Sequence, residues 1–84
     1  MDKAEFLKSK DFMKVGQAIE HGNWQVAAMT ASRMQKDANE CELSDFSRQL
    51  IMLKQCIAGR KKTEAQNALA AIVARRVKML EGDK

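Results

Sequence analysis

Proline and tyrosine are missing from this 84-residue chain, tryptophan and histidine occur once each, and cysteine occurs twice. Without proline, and with four scattered glycines, long stretches run free of breakers and no Gly-rich loop is in place to cradle a phosphate. With one tryptophan and three phenylalanines as the only aromatics, the core has to come from Leu, Ile, Val, Met and Ala. Cys41 and Cys56 stand fifteen positions apart, form no CxxC and have no clustered histidines, so they read as reduced thiols of a cytosolic protein. No apolar run approaches the roughly 20 residues that cross a bilayer, and the charged opening MDKAEFLKSK has no apolar signal core. The expectation is a cytoplasmic protein with no membrane contact. A single histidine, with no partner base or nucleophile beside it, also argues against an enzyme, a cofactor, a metal or a small-molecule substrate.

What is present favours helix. Ala, Lys, Gln, Glu, Met and Leu dominate the middle and end of the chain, and these are strong helix formers. Fifteen basic and eleven acidic residues leave a mild net charge of +4, which suits solubility without implying a nucleic-acid partner. The length allows one domain, 1–84, burying roughly 60–65 % of its unfolded surface around a thin core. Six methionines make that core adaptable.

Residues 1–10 mix charge with Phe6 and Leu7 and read as a flexible arm or the first turns of a helix. From Asp11 to His21, Phe12, Val15, Gly16 and Ile19 keep the spacing of one helical face. Gly22 suits the left-handed C′ position, and Asn23 the N-cap of the next helix. Trp24, Ala27, Ala28, Ala31, Met34 and Ala38 then form a small-residue stripe that another helix can approach closely. That helix is expected to fade in the polar stretch Asp37–Glu42. Ser44 reads as the next N-cap, ahead of Phe46, Leu50, Leu53 and Ile57, with Gly59 at C′. Thr63 and Gln66 fit a capping box before Ala65, Ala68, Leu69, Ile72, Val73, Val77 and Leu80. The fold class expected is therefore all-α: four short antiparallel helices arranged as two helical hairpins, joined by a short turn, a longer polar loop and a second short turn.

The hairpins echo one another. Gln17-Ala18-Ile19 lies 38 residues before Gln55-Cys56-Ile57, and at that offset Ala27 falls on Ala65, Ala31 on Leu69 and Met34 on Ile72. Gly22-Asn23-Trp24-Gln25-Val26-Ala27, followed by Ala31 and Met34, resembles the centre of a tetratricopeptide-type repeat, where Gly, an aromatic and a small Ala open the second helix. The resemblance covers about half the chain, Val15 to Met34 and more faintly Leu53 to Ile72. It departs at Asp11 and Lys14, where that family has large apolar residues, and in lacking the closing proline. What it implies is a protein-binding groove and no enzyme activity.

Two surfaces stand out. Arg60, Lys61, Lys62, Arg75, Arg76 and Lys78 place six cations within nineteen residues, opposed by Glu64. They read either as an anion-facing surface that could meet nucleic-acid phosphate or as a solvated turn plus a favourable helix C-terminus. No aromatic lies among them for base stacking. Phe6 and Leu7, with no evident packing partner, read as residues that dock on a second subunit, and Met34 beside the Ala stripe suits the same contact. Trp24 reads as core over the hairpin turn or as an interface anchor. Asp37, Glu40, Glu42 and Asp45 flank Cys41 without the spacing of a calcium loop. His21 reads as a helix-terminal residue interacting with the dipole. The leading expectation is a helical interaction module binding another protein or itself, as a homodimer. The alternative is a small nucleic-acid-binding protein using the basic surface 60–78.

Overall fold

In a computed structural model of the chain, residues 2–82 are described. Met1, at the head of the expected arm, and residues 83 and 84, at the end of the 1–84 domain, lie outside them. The described residues hold five helices and no strand: α1 (Lys3–Leu7), α2 (Asp11–Glu20), α3 (Trp24–Glu40), α4 (Ser44–Ala58) and α5 (Lys62–Gly82). The all-α class and the four long helices stand as read from the sequence. α1 is an additional single turn, capped by the Asp2 carboxylate, which accepts from the Glu5 amide at 2.8 Å.

Three connections of three residues each join the long helices, and all three close in the same way. The amides of Asn23, Leu43 and Lys61 donate back to the carbonyls of Ala18, Ala38 and Cys56, at 2.8, 2.9 and 3.0 Å. One residue earlier, the amides of Gly22, Glu42 and Arg60 donate to Ile19, Asn39 and Ile57. This is the paired pattern of a Schellman ending, and it needs a left-handed C′ residue. Gly22, Glu42 and Arg60 supply it, with φ of 70°, 59° and 53°.

Several expected boundaries move as a result. Arg60 holds the C′ position assigned to Gly59, which sits one residue earlier at φ −81° in the right-handed region. α3 does not fade at Asp37 but runs to Glu40, because Ala38 is fully buried while its polar neighbours Asn39 and Glu40 face water. No longer polar loop separates two hairpins. α3 and α4 form a third hairpin, and the one with the most extensive contact. Leu43, itself buried, takes the cap position expected of Ser44, and α5 starts at Lys62, one residue ahead of Thr63.

Successive long helices run antiparallel through these tight turns, and α2 also packs on α5 to close an up-and-down bundle 37 Å long. The core draws on the predicted faces through Val15 and Ile19 of α2, Ala27, Ala31, Met34 and Ala38 of α3, Leu50, Leu53 and Ile57 of α4, and Ala65, Leu69 and Ile72 of α5, while Ala28, Val77 and Leu80 of those faces stay exposed. Gly16 permits the α2–α5 approach, since a Cβ there would stand 3.2 Å from Leu69 Cδ2. Asp11 clasps Arg33 with two hydrogen bonds of 2.8 and 3.0 Å, tying α2 to α3 and raising the Arg33 guanidinium pKa through that bonding and the adjacent charge.

Residues 2–8 form no free arm. Phe6 and Leu7 are buried, and the Phe6 ring meets Phe12 and Phe46 edge-on with centroids 5.4 Å away in each case. Phe12 and Phe46 open α2 and α4, so α1 seals the end of the bundle where those helices begin. Arg76 of α5 completes the seal. Its guanidinium lies 5.0 Å over the Phe12 ring, and its Nε donates to the Leu7 carbonyl, an orphan acceptor at the end of α1.

Candidate functional site

The sequence-predicted surfaces are largely redistributed by the fold. Phe6, Leu7 and Met34 are core residues, each 5 % exposed or less, and cannot form a docking face. Their partners come from other helices, which the local sequence does not display. Trp24 is half-buried and packs against the core beside the α2–α3 turn.

The basic surface 60–78 is not one surface. Arg60, Lys61 and Lys62 lie at the α4–α5 turn, and thirteen residues of α5, roughly 20 Å, separate Lys62 from Arg75. Arg76 is spent on Leu7 and Phe12. Arg75 bridges to α4, its Nε donating to Gln49 Oε1 at 2.9 Å and its Nη1 lying 3.5 Å from Asp45. Lys61 pairs with Glu64 at 3.7 Å. Lys62 and Lys78 are exposed.

His21 and Cys41 stand at opposite ends of α3, whose 17 residues span roughly 25 Å. His21 is the exposed C-cap of α2. Cys41 is buried, which pushes its thiol pKa up. Among the side chains, Asp37, Asp2 and Glu40 push it further the same way. Among the described residues, no group of His, Cys, Asp and Glu is placed to hold a metal ion. None of the described helices is long and apolar enough to cross a membrane.

The surface that does gather residues is the outer seam between α4 and α5, and helical periodicity explains it. α4 buries Phe46, Leu50, Leu53 and Ile57, which turns Asp45, Arg48, Gln49 and Met52 onto the flank beside α5. α5 buries Ala65, Leu69 and Ile72, which turns Ala68, Ala71, Arg75 and Lys78 toward the same seam. Between these flanks lie three adjoining shallow cavities that share Gln49. The largest, about 320 Å³, reaches Asp45, Arg48, Ile51, Met52 and Arg75. The second, about 250 Å³, is lined by Ala71, Ala74, Arg75 and Lys78 besides Gln49. The smallest, about 130 Å³, is almost wholly apolar, between Met52, Ala68 and Ala71.

The floor is thus alanine, the walls carry Met52 and Ile51, and the rim carries Arg48, Arg75 and Lys78. Met52 is 62 % exposed and Ile51 just over 40 %, whereas the exposed Val77 and Leu80 fall on the other flank of α5. Single exposed apolar side chains are ordinary, but an apolar strip continued across two neighbouring helices is not. Sequence reasoning missed this seam, although a signal for it was there. α5 carries apolar residues at Ala65, Ala68, Leu69, Ile72, Val73, Val77 and Leu80 and also at Ala70, Ala71 and Ala74, more than one buried stripe can use.

Such an arrangement can seat a helix, because small residues on the floor let a partner backbone approach to the 8–10 Å typical of packed helices. It offers no paired acid and base for chemistry. Compared with known proteins, the chain matches no family model, no curated protein and no solved structure.

Proposed function

We propose that this chain is a non-enzymatic helical interaction module that binds another protein through the α4–α5 seam, without a cofactor. The observation that carries the reading is the run of exposed apolar residues from Ile51 and Met52 on α4 to Ala71 and Ala74 on α5, beside half-buried Ala68. Covering that surface is favourable by roughly 25 cal/mol per Å² relative to leaving it in water. The expected resemblance to a tetratricopeptide-type hairpin points to the same class of role, protein binding without chemistry.

A photo-crosslinking side chain placed at Met52, and separately at Met29 of α3, tests the proposal in the native cell. Met29 is a fair control, being as exposed and as apolar. The expected result is a discrete protein adduct from position 52 and none from position 29. An adduct of twice the chain mass would identify a homodimer. Equal labelling from both positions, or none from position 52, would remove the seam from consideration.

A further inference from the structure

We infer that the partner segment seated on the α4–α5 seam is an amphipathic helix of about three turns whose flanks carry Asp or Glu. The inference rests on the interaction reading above and adds to it the chemistry of the occupant.

Length sets the first constraint. The seam runs along α5 from Ala68 to Lys78, which is roughly 15 Å of helix axis, or about three turns. Shape sets the second. Its floor of Ala68, Ala71 and Ala74 between two helix ridges accepts a third helix. The described residues contain no strand edge on which an extended peptide could pair.

Charge sets the third. Arg48, Arg75 and Lys78 stand on the rim against a single carboxylate, Asp45, which lies 3.6 Å from Arg48 and 3.5 Å from Arg75. Three cations against one anion leave the lining of these cavities at +2, or +1 with Glu42 of the adjoining cavity beyond Asp45 and Arg75, and complementary charge on the partner favours encounter and fixes its orientation. The same charges disfavour a second copy meeting this face with its own. Arg48 would approach Arg48 or Lys78, and like charges brought together across a contact are costly.

The test uses the full chain and a displayed library of helical peptides. Apolar residues are fixed at i, i+3, i+4 and i+7, and the flanking positions are randomised. Selected peptides are then mapped onto the ¹⁵N-labelled protein. The expected result is enrichment of Asp and Glu at the flanks, with shifts at Gln49, Met52, Ala68, Ala71 and Ala74. Each exposed ion pair is worth a factor of roughly 1.4 to 5, so replacing the peptide carboxylates by Gln should weaken binding on the order of tenfold. The double variant Arg48→Glu, Lys78→Glu should abolish or reverse that preference, and Arg48→Gln, Lys78→Gln should flatten it. Both positions are exposed and neither contributes to the core. Binders that map to the seam with no acidic enrichment, or with Lys and Arg enriched, would overturn the acidic occupant and leave the docking surface standing. No binders, or binders mapping elsewhere, would overturn both. Shifts at the same residues from an oligonucleotide, with none from the selected peptides, would replace the protein partner by nucleic acid.

Discussion

Exchanging glycine for its neighbour at the α4–α5 turn should stabilise the protein, and the turn geometry fixes the sign. Arg60 sits at φ 53° in the C′ position, and Gly59 at φ −81° just before it. Left-handed backbone costs an L-residue about 1–2 kcal/mol, because Cβ crowds the following carbonyl. Glycine escapes that cost but loses more chain entropy on folding, worth about 0.4–1 kcal/mol against alanine. Arg60→Gly should therefore gain about 0.5–1 kcal/mol. Gly59→Ala should gain about 0.4–1 kcal/mol, since the new Cβ would meet nothing closer than Lys61 Cγ at 3.5 Å. The combined swap should raise stability by about 1–2 kcal/mol, or roughly 5–10 °C in Tm for a domain of this size. Gly22→Ala provides the opposite sign, a loss of about 0.5–1 kcal/mol, because nothing crowds that Cβ and only φ 70° opposes it. Urea unfolding followed by circular dichroism reads all three as midpoint shifts at constant slope. The single and double variants are measured together because adjacent sites need not be additive. A destabilising Arg60→Gly, or a neutral Gly22→Ala, would refute the shared left-handed ending of the turns.

Further outcomes follow from the same contacts. Phe6→Ala should cost about 3–5 kcal/mol, against a total of about 4–12 kcal/mol expected for a domain of this length, so the urea midpoint should fall sharply. Arg76→Gln should cost about 1–2 kcal/mol and speed hydrogen exchange at the Phe6 and Lys8 amides, which are bonded within and just beyond α1. Cys56, half-buried, should react with a thiol reagent well before buried Cys41, and the order is checked with Cys56→Ser. Burial raises the Cys41 thiol pKa in the folded state, so the unfolded chain ionises first. The corresponding stability is intact below the ordinary thiol pKa of about 8.5 and drains away as pH rises above it, a trend that Cys41→Ala should abolish in urea titrations.

How much of this was legible in the sequence depends on how far apart the interacting residues lie. Features written within one helix could be read directly. The Gly22-Asn23 ending is as expected, with the Asn23 side chain accepting from the Val26 amide, and the buried faces of α2 to α4 follow their spacing. The other two C′ residues are Glu42 and Arg60, which carry no glycine signal, so the turns they make were misplaced by a residue or drawn as a long loop. Asp37–Glu42 looked like fading helix because its polarity was given more weight than Ala38, the last residue of the stripe, which is fully buried and carries α3 to Glu40. Phe6 and Leu7 looked unpartnered because their partners are Phe12, Phe46 and Arg76, the last of these 69 residues away from Leu7. The basic run 60–78 looked continuous because sequence adjacency ignores the 1.5 Å rise per residue that carries its two halves to opposite ends of a helix.

Adjacency in space, not the exposure of any one side chain, is what singles out the α4–α5 seam. Met13 and Met29 are each slightly more exposed than Met52, yet neither lines the cavities of the seam, and scattered apolar residues need no explanation. Met52 lies over Ala68 and Ala71, beside Ile51 and a rim of three cations on two helices. Folding does not require this. The α4–α5 contact is already made by Leu50, Leu53, Ile57, Ala65, Leu69 and Ile72, all buried. Polar residues at Ile51 and Met52 would keep that core and improve solubility. A single Met52→Gln separates the two demands placed on the sequence. It should leave stability within about 0.5 kcal/mol, as expected for a surface substitution, while weakening binding of the selected peptides. If it instead unfolded the domain, Met52 would belong to the core, and the seam would have no surface to spare for a partner.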